Sequence, residues 1–144
     1  HTGPIIIWRK ELRPDSGGVG KFRGGLGQFM EIGVRQGYVF DFQAMFDRVH
    51  YPAKGQNGGG TGAPTLIQRS DGVKMRGKGK QFVPEGKKVH LAFPGGGGFG
   101  KVSKRNTTSI ERDLSLGYIS RNSAKIHYKL SEREIKNSLQ KKKN

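Results

Sequence analysis

The sequence predicts an α+β chain, mainly β, with twisted antiparallel or mixed strands joined by glycine-rich loops and two or three short helices at the carboxyl end. Three observations carry that prediction. In the first hundred residues, apolar side chains recur at every second position, the period of a half-buried strand. Of the 24 glycines, 16 fall in three dense segments between those runs. After Gly100 the alternation stops and capping signals headed by serine or threonine appear. We divide the chain accordingly into a β-rich part, 1–104, and a short helical tail with a basic end, 105–144.

The elements follow in order. Pro4-Ile5-Ile6-Ile7-Trp8 reads as a first strand, and Gly17 to Gly27 is the first glycine segment. Residues 29–35 place Met30, Ile32 and Val34 on one side and Glu31 and Arg35 on the other. Residues 38–47 set Tyr38, Phe40, Phe42, Ala44 and Phe46 against Asp41, Gln43 and Asp47. After the second glycine segment, Gly55 to Gly62, Thr65 to Gln68 and Gln81 to Val83 are shorter strands, and Pro84-Glu85-Gly86-Lys87 is a turn. Residues 88–93 oppose Val89, Leu91 and Phe93 to Lys88 and His90, and Gly95 to Gly100 closes the β-rich part.

In the tail, Thr108-Ser109-Ile110-Glu111 has the spacing of a capping box. The helix it opens is expected to bury Ile110, Leu114 and Leu116 and to stop at Gly117 in the left-handed conformation. Ser120 heads a second short helix through Ala124, with Ile126 and Tyr128 beyond. Ser131-Glu132-Arg133-Glu134 is a further capping box, opening a helix with Ile135 and Leu139 on one face. Lys141, Lys142 and Lys143 suit the carboxyl end of that helix electrostatically.

Composition narrows the functional classes. A chain of 144 residues and 15.9 kDa suits one domain. Its longest aliphatic run, Ile5 to Trp8, is far below the roughly 20 residues of a membrane-spanning helix. With no cysteine there are no disulfides, thiolate metal sites or cysteine nucleophiles, which fits a reducing cytoplasm. The glycine segments do not repeat at a fixed period, so the chain is no solenoid. It opens at His1 directly into strand-like sequence, from which we expect a piece of a longer polypeptide.

Twenty-seven Lys and Arg against 11 Asp and Glu give +16 and a pI near 10.4. One reading is a nucleic-acid-binding module gripping phosphates, with Arg23-Gly24-Gly25 as an RGG-like fragment beside Phe22 and Phe29. The other is a soluble basic surface without a dedicated partner. The excess is shared equally, +8 in residues 1–100 and +8 in residues 101–144, whereas a dedicated binder concentrates it on one face.

Catalytic signals are sparse. Gly95 to Lys101 matches the spacing of a phosphate-binding loop, but Val102 stands where Ser or Thr would hold magnesium, and helix signals wait until Thr108. Consecutive amides in such a loop remain able to cradle an anion without the full motif. His1, His50, His90 and His127 form no i, i+4 ligand pair. His90 reads as an exposed residue on the polar face of its strand. Asp15-Ser16 reads as a turn-former in which the Asp accepts local amides.

Together the segments resemble a known family. Glu11-Leu12-Arg13-Pro14-Asp15-Ser16-Gly17-Gly18-Val19-Gly20-Lys21-Phe22-Arg23-Gly24-Gly25-Leu26-Gly27 is similar to a segment of the hydantoinase B/5-oxoprolinase family. Its members include N-methylhydantoinase B, 5-oxoprolinase B-type subunits and acetone carboxylase alpha subunits. Three further stretches match in order. They are Asp47-Arg48 with Tyr51-Pro52 and Gly55 through Pro64, then Phe93 through Gly100, then Arg112-Asp113 with Gly117-Tyr118-Ile119-Ser120. The likeness runs from about residue 4 to residue 130. Lys101 departs from the Asp or Asn that the family usually carries there, and +16 departs from its usual neutral or acidic balance.

The resemblance implies the carboxyl-terminal portion of a subunit several times longer, engaged in ATP-dependent hydrolysis of a cyclic amide such as 5-oxoproline or a hydantoin. It implies a hydantoinase A-type partner that binds ATP and Mg, and any divalent metal held upstream of this segment. It carries no catalytic residue onto this chain. The residues we name for an anion or a subunit interface are Arg13, Asp15, Gly17, Gly18, Arg23, Gly24 and Gly25, then Gly95, Gly96, Gly97 and Gly98. The structural alternative is that Arg13 and Asp15 pair to lock the turn.

Overall fold

The computed structural model describes residues 3–140. Six strands precede the helices: β1 (Ile5–Leu12), β2 (Gln28–Val34), β3 (Phe40–Met45), β4 (Leu66–Arg69), β5 (Lys78–Val83) and β6 (Val89–Ala92). A four-stranded sheet has the order β1-β2-β6-β4, and β3 pairs β5 in a second sheet. Every strand pair is antiparallel, with Ile5 opposite Val34, Phe29 opposite Ala92, Leu66 opposite Ala92 and Phe40 opposite Val83. A parallel bridge occurs outside the strands, between Gln56 and Phe99.

The alternation in the sequence explains how the sheets meet. Ile67, Met75, Val83, Val89 and Leu91 are buried, and Met30, Ile32, Phe40, Phe42, Phe46 and Phe93 pack against them. Each fully buried aliphatic side chain here is worth about 1.5–3 kcal/mol. Tyr38 leaves the pattern and is 53% exposed. Gly37, at φ +86°, turns the chain just before it, and the Tyr38 amide donates to Arg35 O at 3.2 Å, so Tyr38 belongs to a turn and not to β3. His90 is not free on its polar face, since its Nε2 lies 3.4 Å from a Glu31 carboxylate oxygen. Edge strand β1 leaves Ile5, Ile7, Trp8 and Leu12 exposed and slips register between Ile7 and Arg9.

Beyond a 3-10 turn at Val102–Lys104 come α1 (Thr107–Ser115), α2 (Arg121–Ile126) and α3 (Glu132–Gln140). They enclose a second core of Ile110, Leu114, Ile119, Ala124, Tyr128, Leu130 and Ile135, with Val19 of the first glycine loop packed against it. The first cap is not Thr108. Asn106 accepts the Thr108 amide at 2.8 Å, so α1 starts two residues earlier than the capping-box spacing suggests. Leu116, at the carboxyl cap, is exposed. Gly117 at φ +74° ends the helix as expected, with the Tyr118 amide on Asp113 O and the Gly117 amide on Leu114 O. Ser120 caps α2 by accepting the Ser123 amide, and α2 runs two residues past Ala124. At α3 the Ser131 amide donates to Glu134 Oε2 at 2.8 Å and the Glu134 amide returns to Ser131 Oγ at 3.3 Å. Lys141 to Lys143 lie outside the described residues.

Candidate functional site

The three glycine segments, far apart in sequence, converge. Backbone amides cross between them: Gly18 donates to Gly96 O, Gly60 to Val19 O, Gly96 to Gly25 O, Gly98 to Gly60 O and Gly100 to Gln56 O. Phe22 and Phe99 exchange both of their bonds at 2.9 Å. The approach is too close for side chains. A Cβ on Gly95 would stand 1.8 Å from Ser16 O, one on Gly98 2.0 Å from Val19 O, one on Gly24 2.1 Å from Gly96 O. Gly17 and Gly97 are equally crowded, while Gly25 has open space around it. The amides of Gly18, Gly24, Gly95, Gly96 and Gly98 all donate to carbonyls of this chain, so these five hold backbone to backbone and do not cradle an anion.

Arg13 and Asp15 do not pair. Arg13 Nη1 donates to the carbonyls of Pro64, Ala92 and Phe93 at 2.7, 3.3 and 3.0 Å, pinning the loop to β6, and burial lowers the guanidinium pKa from its ordinary value. Asp15 sits in the left-handed region at φ +58° and does not serve local amides. Its Oδ1 accepts the Ser120 amide at 2.8 Å, and its own amide donates to Tyr118 O. Ser16 is the local turn-former. Fully buried, it donates to Arg13 O and accepts the Gly27 amide.

Arg23 is likewise engaged inside the chain. Its Nε donates to Asp113 Oδ2 at 2.8 Å, its Nη2 to Oδ1 at 3.3 Å and its Nη1 to Gly24 O. Arg105 Nη2 donates to the same Asp113 Oδ2 at 2.6 Å. This buried latch ties the first glycine loop to α1. Arg105 Nε and the Tyr128 hydroxyl are buried nearby without a partner, and burial raises the Tyr128 pKa above the usual phenol value.

Between the glycine loops and the helices lies a cavity of about 350 Å³. Asp15, Gly17, Gly60 and Thr61 line one side and Ser120, Asn122, Ser123, His127 and Tyr128 the other. Its size lies in the range of small-molecule sites. It offers a carboxylate, a side-chain amide, hydroxyls and an imidazole beside Val19 and Ile119. Among the described residues the His127 amide donates to Ser123 O at 2.9 Å, but its imidazole has no hydrogen bond to Asp15 or to a serine hydroxyl, so no nucleophile–base pair is assembled. Of the residues named from the sequence, Asp15 and Gly17 line this cavity, whereas Arg13 and Arg23 serve as struts. From the sequence Asn122 has no role, His127 is weighed only as a metal ligand, Tyr128 is only a position beyond the second helix and Ser120 only the head of that helix, and Asp113 lies within a matching stretch without a role.

Among the described residues no three of His, Asp and Glu are grouped to hold a metal ion, and no helix is long and apolar enough to cross a membrane. A nucleotide does not fit the Gly95–Lys101 loop. The amides of Gly95, Gly96, Gly98, Phe99 and Gly100 are engaged within the chain, Val102 offers no hydroxyl, and a single 3-10 turn follows.

The family model described as hydantoinase B/oxoprolinase matches residues 1–102. An uncharacterized protein of Methanocaldococcus jannaschii is 34% identical over 134 residues, covering 88% of this chain and 23% of its own length. 5-oxoprolinase 1 of Arabidopsis thaliana is 38% identical over 101 residues, covering 67% of this chain and 8% of its own. Caprolactamase subunit beta of Pseudomonas jessenii is 26% identical over 139 residues. The crystal structure of the ATP-dependent caprolactamase from that organism superposes with a TM-score of 0.73 at 24% identity, over 90% of this chain and 24% of the solved one. The chain thus spans a quarter or less of the length of each.

Proposed function

Because the chain belongs to the hydantoinase B/oxoprolinase family, we propose that it is the carboxyl-terminal part of a longer subunit in an enzyme that hydrolyses a cyclic amide, 5-oxoproline or a hydantoin, at the expense of ATP. The family match carries this reading. The names of the relatives support it, since one is a 5-oxoprolinase and another a caprolactamase subunit, and both substrates those names denote are lactams. A ring amide is resonance-stabilised. Phosphoryl transfer would therefore supply a better leaving group on the carbonyl carbon. The Gly95–Lys101 loop does not fit a nucleotide and no cluster among the described residues fits a metal, so we assign ATP and Mg to a hydantoinase A-type partner and any divalent metal to other parts of the subunit.

In this reading the glycine loops and the Asp113 latch are the rigid frame, and the cavity beside them is the wall this chain contributes. The Asp15 carboxylate accepts and Asn122 and His127 donate, which suits the N–H and carbonyl of a lactam. The test is to co-express the longer subunit with its partner and measure ATP hydrolysis with and without 5-oxoproline. Stimulation by the cyclic amide is expected, and the 144-residue chain alone should be inactive. No stimulation by any cyclic amide or ketone would overturn the proposal.

A further inference from the structure

We propose that the basic cleft between the first glycine loop and α1 binds a phosphoryl oxyanion. Two adjoining cavities of about 320 and 270 Å³ share Arg23, Arg105 and Ser109. Their walls carry the cations Lys21, Arg23, Lys104, Arg105 and Arg112 against a single carboxylate, Asp113. Both Asp113 oxygens are already taken by the guanidinium groups of Arg23 and Arg105. The side chains of Arg105 and Asp113 are each 9% exposed and that of Arg23 14%, so two guanidinium groups share one carboxylate and a positive charge is left over where water is scarce. An uncompensated buried charge is unfavourable, and an anion in the cleft removes that penalty.

A second observation points the same way. Arg105 donates from Nη1 to Lys21 O and from Nη2 to Asp113, yet its buried Nε–H has no acceptor. The positive end of the α1 dipole lies at the same cleft, where Asn106 caps the helix, and it adds to the potential. Guanidinium forks and ammonium groups match the oxygen arrangement of a phosphoryl group, whose charge of about −2 suits this excess better than a lone carboxylate does. The inference does not depend on the reaction proposed above and is tested without it.

Inorganic phosphate titrated into the 144-residue chain at constant ionic strength, followed by calorimetry and thermal unfolding, should bind saturably and raise Tm. Arg112→Ala and Lys104→Ala lie at exposed positions outside the Asp113 latch, and each should weaken phosphate about tenfold while leaving the circular dichroism spectrum unchanged. An ADP arm separates the two sources of the group. Affinity equal to that of phosphate assigns the cleft to the free oxyanion, and affinity about tenfold higher assigns it to a nucleotide's phosphates. Unchanged affinity in both variants, or acetate competing as well as phosphate, would overturn the proposal. So would an oligonucleotide binding about a hundredfold tighter with a steep salt dependence.

Discussion

The main-chain N–H of Ser120 donates to Asp15 Oδ1 at 2.8 Å across 105 positions of sequence, and the Asp15 amide donates back to Tyr118 O at 3.0 Å. This reciprocal clamp sets the start of α2 on the first glycine loop and so forms one corner of the cavity. Asp15→Ala should lose about 1 kcal/mol of stability in urea unfolding, because the Ser120 amide loses its acceptor. Asp15→Asn keeps an acceptor of the same reach and should cost less than half as much. Equal losses in the two variants would show that the hydrogen bond is not what holds the corner.

The glycine knot predicts a sharp contrast between neighbours. Gly24→Ala places a methyl 2.1 Å from a backbone oxygen, whereas Gly25→Ala meets nothing within 4 Å. We expect the first to cost about 4 kcal/mol or more, or to prevent folding, and the second to stay within roughly 1 kcal/mol of the parent chain. Thermal unfolding of the two variants side by side measures it.

Asp113 is the one carboxylate shared by two guanidinium groups in a place with little water. Asp113→Asn leaves both without a counter-charge, for an expected loss of about 3–5 kcal/mol. The loss should be most visible in the helical tail, which the latch ties to the glycine loop. Hydrogen exchange of α1 amides, compared between parent and variant, reports it directly.

A hydrogen bond from Lys88 Nζ at 2.5 Å, helped by the charges of Lys88, His90 and Arg9, holds the Glu31 carboxyl below the ordinary glutamate pKa. In acid the unfolded chain therefore takes up this proton before the folded one does. The resulting stability is fully present above the ordinary glutamate value and is lost as pH falls through the lower, folded value. Glu31→Gln should melt below the parent chain near neutrality and converge with it in acid. A gap that does not change with pH would contradict this linkage.

How much of this was legible in the sequence depended on whether a pattern is local. The strands were, because Met30 and Ile32, or Val89 and Leu91, announce their shared face within a few residues. So were Ser120 and the Ser131–Glu134 box, whose partners lie three residues away. Thr108 misled because its box spacing is genuine, yet Asn106, emerging from the 3-10 turn, reaches the same free amides first. The convergence of the glycine loops was not legible, since residues without side chains carry no signal of what they approach. Arg23 finds Asp113 at 90 positions' distance, and His127 joins the cavity only after α2 has turned, so neither pairing is written in a short window.

Of all measurements, the product balance of the complete enzyme speaks most directly to the central claim. The longer subunit and its ATP-binding partner would be incubated with ATP and 5-oxoproline, and ADP and ring-opened amino acid would be quantified together by mass spectrometry. The account predicts that the two rise in equal amounts and only when both subunits are present. ADP formed without any ring-opened product from a cyclic amide, or ring opening that proceeds without ATP, would contradict it.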